Sequence, residues 1–563
     1  MAGEDRPRDT QGTHHGTHHG SEGPGETAPT EWIGSSQPPP DEPGASAGDG
    51  SGPGGGRRKW LIPVAAVAVV ALIAGGGFAA YSTLSGGGDQ PADAIPSSAF
   101  GYARVDLDPS ADQKINMVRL LRRVPEFEEE TGITSDTDDL RKRVFEEVIE
   151  SEGCSELDYD ADIAPWIGER AGMAAIAAEK GSEPDGLLVL QVTDEDAART
   201  GIETLQACAD EHDLDEMDTS GLAFVGDYAL IAETQELADD FAADAADEAL
   251  SDSEAFSADM EALGGEGVAS FWLDVDAVME QIGENDPEAT ESLQALGYED
   301  LGTFSAALRA QSDAMELVVA GHGDLTNFTG DTAPVTDVGQ LPDSTLAALG
   351  FTGGGDAITA LWDRLEGVPD SELGDAIGPG GLEGLADQFE AQFGIVLPND
   401  IAVLLGEELT LALDSEGIAL DPDSDFGLNT STLNVGARMR TDPEAVRDLL
   451  ERVQQLVAAT TGQSITIADV DAEGGIVLAS NDAYARALAE GGALGDSATY
   501  EASVADAGSA TGVFFVDLDK LDEVVQETVG GAESRWLEAF RGVGVSSVPD
   551  GEYTLTTARL VFD

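Results

Sequence analysis

Asp162-Ile163-Ala164-Pro165-Trp166-Ile167-Gly168-Glu169-Arg170 is echoed farther along the chain by Asp400-Ile401-Ala402-Val403-Leu404-Leu405-Gly406-Glu407-Glu408. Five of these nine positions are identical. Working outward, Ile95-Pro96-Ser97-Ser98 matches Leu341-Pro342-Asp343-Ser344, and Ala249-Leu250-Ser251-Asp252-Ser253 matches Ala493-Leu494-Gly495-Asp496-Ser497. Phe271-Trp272-Leu273-Asp274-Val275-Asp276 matches Phe514-Phe515-Val516-Asp517-Leu518-Asp519. Four matches in one order at nearly one offset predict two tandem copies of one unit, residues 95–325 and 340–563.

Each predicted copy carries the same series of elements. A strand-like run (Leu187 to Val192; Leu433 to Met439) ends in Thr193-Asp194 or Thr441-Asp442, which suit the start of a helix. Helices near 195–211 and 443–460 place Ile202, Leu205 and Cys208, or Val446, Leu449, Leu450 and Val453, on one face. Further strands are expected near Leu222–Ala232, Val268–Leu273, Gly475–Ala479 and Gly512–Val516. Each copy closes with two strands, Thr303–Ala310 and Met315–Ala320, then Val543–Val548 and Tyr553–Val561. The residues between them, Gln311-Ser312-Asp313 and Pro549-Asp550-Gly551, are turn formers. Helices fall between groups of strands, so the expected fold class is α+β: two tandem copies of a mainly antiparallel sheet-plus-helices unit.

Two segments precede these copies. Residues 1–59 are rich in Gly, Pro, Ser, Thr and Glu and read as a disordered cytoplasmic tail. Residues 60–84 contain no charge, and Leu61–Leu84 is a 24-residue apolar run. At about 1.5 Å per residue this predicts a transmembrane helix followed by a Gly/Pro linker, 85–94. Arg57, Arg58 and Lys59 abut its start, so the expected arrangement is a single-pass cell-membrane protein, N-terminus inside, with the bilayer a partner through Leu61–Leu84. A cleaved signal peptide is the competing reading, with an apolar core longer than the usual stretch of about 7–15 residues.

The net charge is −83, from 110 acidic against 27 basic residues. Nine acidic and five basic residues lie in 1–59, so −79 falls on residues 89–563. A field of that sign disfavours nucleic acid and anionic lipid as ligands of the folded region and keeps it soluble. Only Cys154 and Cys208 occur, and an oxidising location makes them a candidate disulfide. The competing arrangement is a buried Cys208 beside a free Cys154.

No motif for chemistry emerges. The six histidines (His14, His15, His18, His19, His212, His322) form no zinc-hydrolase pattern, and neither nucleophile elbow nor phosphate loop is present. The glycine runs Gly353-Gly354-Gly355 and Gly378-Pro379-Gly380-Gly381 read as loops or hinges. Asp421-Pro422-Asp423-Ser424-Asp425-Phe426-Gly427 begins like a calcium loop, but Phe426 stands where glycine is needed and Thr432 where the bidentate Glu belongs. Asp158-Tyr159-Asp160-Ala161-Asp162 fails similarly. The recurring carboxylates Asp162/Asp400 and Glu169/Glu407 suit caps and turns of a shared fold. No catalytic, cofactor-binding or metal-ligating residue is therefore assigned, and no cofactor is expected.

Ile95-Pro96-Ser97-Ser98-Ala99-Phe100-Gly101-Tyr102-Ala103-Arg104-Val105-Asp106-Leu107-Asp108-Pro109, Lys114-Ile115-Asn116 and Trp166-Ile167-Gly168-Glu169-Arg170 together resemble a bacterial envelope family. It is the domain-of-unknown-function family numbered 3352, found mainly in high-GC Gram-positive bacteria. The resemblance implies an anchored extracytoplasmic protein and supplies no activity. The functional expectation is a non-catalytic, acidic domain that binds an envelope protein, a cell-wall component or an apolar ligand. The alternative is an extracytoplasmic hydrolase using carboxylates or a histidine. Oligomeric state is not legible.

Overall fold

The computed structural model describes residues 90–563 apart from 108–110, 128–138, 147–153, 179–183, 212–220, 286–300, 324–332, 369–379, 420–431, 463–465, 529–535 and some single or paired positions. Its first eight strands are β1 (Ala99–Asp106), β2 (Ile167–Ile176), β3 (Asp185–Val192), β4 (Gly221–Val225), β5 (Tyr228–Ala232), β6 (Ala269–Asp274), β7 (Thr303–Ala310) and β8 (Ala314–His322). The second eight are β9 (Thr345–Thr352), β10 (Glu408–Asp414), β11 (Val435–Arg440), β12 (Ala468–Ala472), β13 (Gly475–Ala479), β14 (Gly512–Asp517), β15 (Phe540–Asp550) and β16 (Tyr553–Phe562).

All sixteen form one sheet, in the order β12-β13-β11-β10-β9-β14-β15-β16-β8-β7-β6-β1-β2-β3-β5-β4. The expectation of two tandem sheet-plus-helices copies is thereby overturned: the sheet is continuous and shows no clear division into two repeated units. The physical reason lies at the join. β8 and β16, each expected to close its own unit, pair antiparallel from Tyr553↔His322 to Val561↔Ala314. Their outward N–H and C=O groups thus satisfy one another instead of facing water. Buried Glu316 on β8 faces Arg559 of β16 at 2.8 Å and Arg309 of β7 at 3.6 Å, an ion-pair cluster across this seam.

The membrane expectation is corrected too. Residues 1–59, the run Leu61–Leu84 and the first half of the linker lie outside the described residues, whereas Pro91–Ala94 of the linker form a short helix. Among the described residues no helix is long and apolar enough to cross a membrane, so a single-pass membrane location is not supported.

Several predicted strands coincide with observed ones. Leu222–Ala232, expected as one strand, is instead the hairpin β4–β5, because Gly226 takes a positive φ of 55° and turns the chain. The β15–β16 turn sits at Gly551-Glu552, with Asp550 and Tyr553 paired across it and Gly551 at φ 65°.

Helices pack on both faces of the sheet. On the first face lie two large apolar clusters. One, around Tyr102, Leu230 and Trp272, packs under the helices Gln235–Asp247 and Glu254–Ala262. The other, around Val477, Leu488 and Phe515, packs under Asp482–Glu490 and Ala498–Ser503. On the second face the helix Ala111–Leu121 buries Met117, Val118, Leu120 and Leu121 against Ala269, Ala310 and Phe562. The helix Glu195–Glu211 sets Ala198 and Ile202 against Val192, Ala229 and Ile231. Pro443–Thr461 does the same for β11 and β13 through Val446 and Leu450.

Candidate functional site

The sequence of β10, Glu408-Leu409-Thr410-Leu411-Ala412-Leu413-Asp414, inverts the usual placement of polar and apolar residues. Its period-two alternation sends Glu408, Thr410 and Asp414 to the first face, where all three are buried. Leu409, Leu411 and Leu413 take the second face, and Leu411 is 41% exposed. The buried Glu408 is held there by the backbone N–H groups of Thr336 and Asp337, at 2.8 and 2.7 Å, and by an ion pair with Arg440. Ser344 Oγ donates to Asp414 at 2.6 Å. β8 shows the same inversion, with Glu316 inside and Leu317 40% exposed.

Cross-strand registers join these outward residues into one transverse line. Leu478, Ala437, Leu411, Leu349, Phe514, Val545, Ala558 and Leu317 are successive partners from β13 to β8. At about 4.8 Å per strand the line is roughly 34 Å long. It continues through Leu308, Ala269, Val105, Ala171, Leu190 and Ala229 to Phe224 on β4. In that first half the row belongs to the packed clusters. In the second half Leu349, Leu411 and Phe514 are 39–41% exposed. Contiguous exposed apolar surface of this kind is the feature that protein and ligand binding sites commonly share.

The helix Gly354–Glu366 forms one wall over this floor. Gly353, at φ 74°, turns the chain out of β9. Gly354 and Gly355 then let the helix start hard against its neighbours. A Cβ at Gly354 would lie 2.6 Å from the Phe351 ring, and one at Gly355 2.9 Å from the carbonyl oxygen of Ala402. These glycines therefore open a helix, where a loop or hinge was expected. Beyond them the helix stands off the sheet: within Gly354–Glu366 only Gly354 is buried, and Leu361 is 41% exposed.

Between helix and sheet lies a cavity of about 510 Å³, with Phe351, Ile358, Leu361, Leu405, Gly512 and Arg364 among its lining residues. Its hydroxyls are already used. Thr352 Oγ1 donates to Thr511 O, and Thr511 Oγ1 donates to Ser547 O, both at 3.3 Å. Ser547 Oγ and Thr556 Oγ1 are 2.9 Å apart. The cavity thus presents mainly carbon surface, with Arg364 the one charged side chain among the described residues that line it.

The residues singled out from the sequence lie elsewhere. Cys154 and Cys208 form a disulfide that ties the stretch before β2 to the helix Glu195–Glu211, far from this groove in sequence. His14, His15, His18, His19, His212 and the segment Asp421–Gly427 lie outside the described residues. His322 ends β8, its ring 5.5 Å from that of Tyr553. The Tyr553 hydroxyl donates to buried Asp259 at 2.9 Å, and Trp272 Nε1 donates to the same carboxylate at 2.7 Å. Burial, and then the Asp259 hydrogen bond, push the Tyr553 phenol up to about 12.

The recurring carboxylates serve local turns, and Asp400 also pairs with Arg452 at 2.7 Å. Asp162 Oδ2 accepts from Asp158 N at 2.9 Å, and Asp400 Oδ2 from Val396 N at 2.6 Å, each four residues back. Glu169 and Glu407 lend only backbone, accepting from Leu107 N and Gly353 N. Among the described residues no group of three or more His, Cys, Asp or Glu is placed to hold a metal ion. The groove residues were missed because apolar residues on both faces of β9, β10 and β14 read equally well as two-sided burial.

A sixteen-stranded antiparallel sheet, helices on both faces and an apolar groove beneath one raised helix define the architecture. The chain belongs to the family described as "Protein of unknown function (DUF3352)", whose model matches residues 64–560. No curated protein and no solved structure matches it.

Proposed function

We propose that this is a non-catalytic binding protein that receives an elongated apolar ligand in the groove under Gly354–Glu366. The observation that carries this reading is the uncovered half of the transverse apolar row, Leu411-Leu349-Phe514-Val545-Ala558-Leu317. Burying such surface at about 25 cal/mol per Å² is the driving force available to a ligand. A volume of about 510 Å³ lies inside the usual range of small-molecule sites, roughly 300–1,000 Å³. The hydroxyls nearby are committed to the sheet, which suits holding more than turnover.

The test is titration of the full chain with a fluorescent long-chain fatty alcohol. Saturable enhancement is expected, weakened at least about tenfold by Phe514→Asp or Leu361→Asp, since each buries a charge against the ligand. Both positions are well exposed, so both variants should keep the far-ultraviolet circular dichroism of the parent. Absence of saturable binding, or equal binding by both variants, would sink the reading.

A further inference from the structure

Gly512 stands in the floor of the groove at a position that any residue could take. It opens β14 and pairs with Phe351 of β9 on one side and Ser547 of β15 on the other. The ladder already holds at the residue before it: Thr511 N donates to Ser547 O at 2.8 Å, and Thr511 O accepts from Thr352 N at 3.0 Å. Gly512 is not among the glycines with positive φ, so the backbone makes no demand for glycine there. Glycine within a strand weakens it, and often marks a place where a ligand or another backbone approaches closely.

Four other strand glycines of this sheet have such a neighbour within the protein. A Cβ at Gly172, Gly350, Gly436 or Gly544 would run into Pro91, Val338, Leu488 or Ser503, respectively. At Gly512 it would meet, among the described residues, only Ser547, with Cβ at 3.7 Å and Oγ at 3.9 Å. Both are ordinary van der Waals contacts. Yet Gly512 lines the same cavity of about 510 Å³ as Phe351, Ile358 and Leu361. No described part of the chain uses the space that the missing side chain leaves, and that space is continuous with the groove.

We propose that Gly512 is the specificity-determining position of the groove, and that its bare backbone receives one unbranched hydrocarbon chain. This rests on the binding reading above and narrows its ligand class. Phe351 and Ser547 flank Gly512 from strands two spacings apart, about 9.6 Å between backbones. With carbon atoms in contact at about 3.5–4.0 Å, the slot between those side chains is one alkyl chain wide and too narrow for a fused ring system lying flat. Phe514, two residues on and on the same face, stands at one end of it. The slot offers a polar group little: Thr511 Oγ1 donates to Ser547 O, and Ser547 Oγ is bonded to Thr556 Oγ1. A polar group placed there would lose water without gaining a partner.

The experiment titrates the full chain and its variants with the fluorescent long-chain fatty alcohol and, in parallel, with the intrinsically fluorescent sterol dehydroergosterol. The parent is expected to bind the alcohol at least about tenfold more tightly than the sterol. Gly512→Val fills the slot and should weaken alcohol binding at least about tenfold. Gly512→Ala adds a Cβ with ordinary contacts only, and its affinity should fall between the two. Neither variant should melt below the parent, because a residue with a side chain gives up less chain entropy in a strand than glycine does. Gly508→Ala, at an exposed turn position with no described atom within 4 Å of its Cβ, should change neither binding nor melting. No saturable binding by the parent would sink the binding reading and this proposal with it. Saturable parent binding that Gly512→Val leaves unchanged, or dehydroergosterol bound as tightly as the alcohol, would overturn this proposal alone. Lost binding together with a lower melting temperature in both variants would assign the glycine to the fold and overturn it as well.

Discussion

The two halves of the sheet that meet at the β8–β16 seam treat the second face differently. In the first half the helix after β1, Ala111–Leu121, sinks four large side chains into the sheet. In the second half the helix after β9, Gly354–Glu366, buries only a glycine and leaves a cavity beneath it. The strands beneath are apolar in both cases. What differs is the helix: Met117, Val118, Leu120 and Leu121 point down in one, whereas Ala357, Ile358 and Leu361 stand beside open space in the other. A filled interface adds stability, and an unfilled one of the same make is free to bind.

The largest expected effect concerns a feature of the first half alone. Reducing Cys154–Cys208, which closes a separation of 54 residues, should destabilise by about 4 kcal/mol in the chain-entropy model. Denaturant melts with and without reductant measure it. If the second half loses its signal at the same denaturant concentration, the sheet unfolds as one unit; separate transitions would divide it in two.

Next comes the pair of helices. Leu120→Ala, at a fully buried position, should cost about 3 kcal/mol, while Leu361→Ala should stay within about 0.5 kcal/mol. Equal losses in thermal melts would show that the raised helix is packed after all, and the contrast between halves would collapse.

The smallest effect is one of pH. Partial burial, then Asp563 and Asp517, push the Asp519 carboxyl up to about 6. A raised carboxyl pKa means the folded chain holds the proton more firmly than the unfolded one. Its contribution is therefore fully favourable below about 4 and is lost as pH rises through about 6. Asp519→Asn should raise the melting temperature slightly at pH 7.5 and leave it unchanged at pH 3.5. Because Asp519 is only partly buried the gain should be small, and a gain at both pH values would refute the assignment.

Much of the secondary structure was legible in the sequence, because period-two alternation in β15 and β16 and the apolar stripes of 195–211 and 443–461 are local signals. The edge-to-edge union of β8 with β16 was not. Nothing in the composition of either strand distinguishes an edge that meets water from one that meets another strand. The burial of Glu316 and Glu408 is equally hidden in the sequence, since a glutamate within a strand ordinarily marks a position that faces water. Only the tertiary partners, Arg559 and the backbone of Thr336 and Asp337, make burial tolerable. The groove escaped notice for the complementary reason: leucines on β10 look like core until the missing cover is seen.

The seam has one more consequence, for self-association. Two separate eight-stranded sheets would offer four open edges to other chains, whereas one joined sheet offers two, β12 and β4. Open edges recruit strands from neighbouring molecules and seed aggregates. β12 is five residues long and carries Asp469 and Asp471, both paired with Arg447, so an incoming strand meets charge instead of a flat ladder. The union at β8–β16 thus withdraws the two longest of those edges, strands of nine and ten residues, from any such encounter.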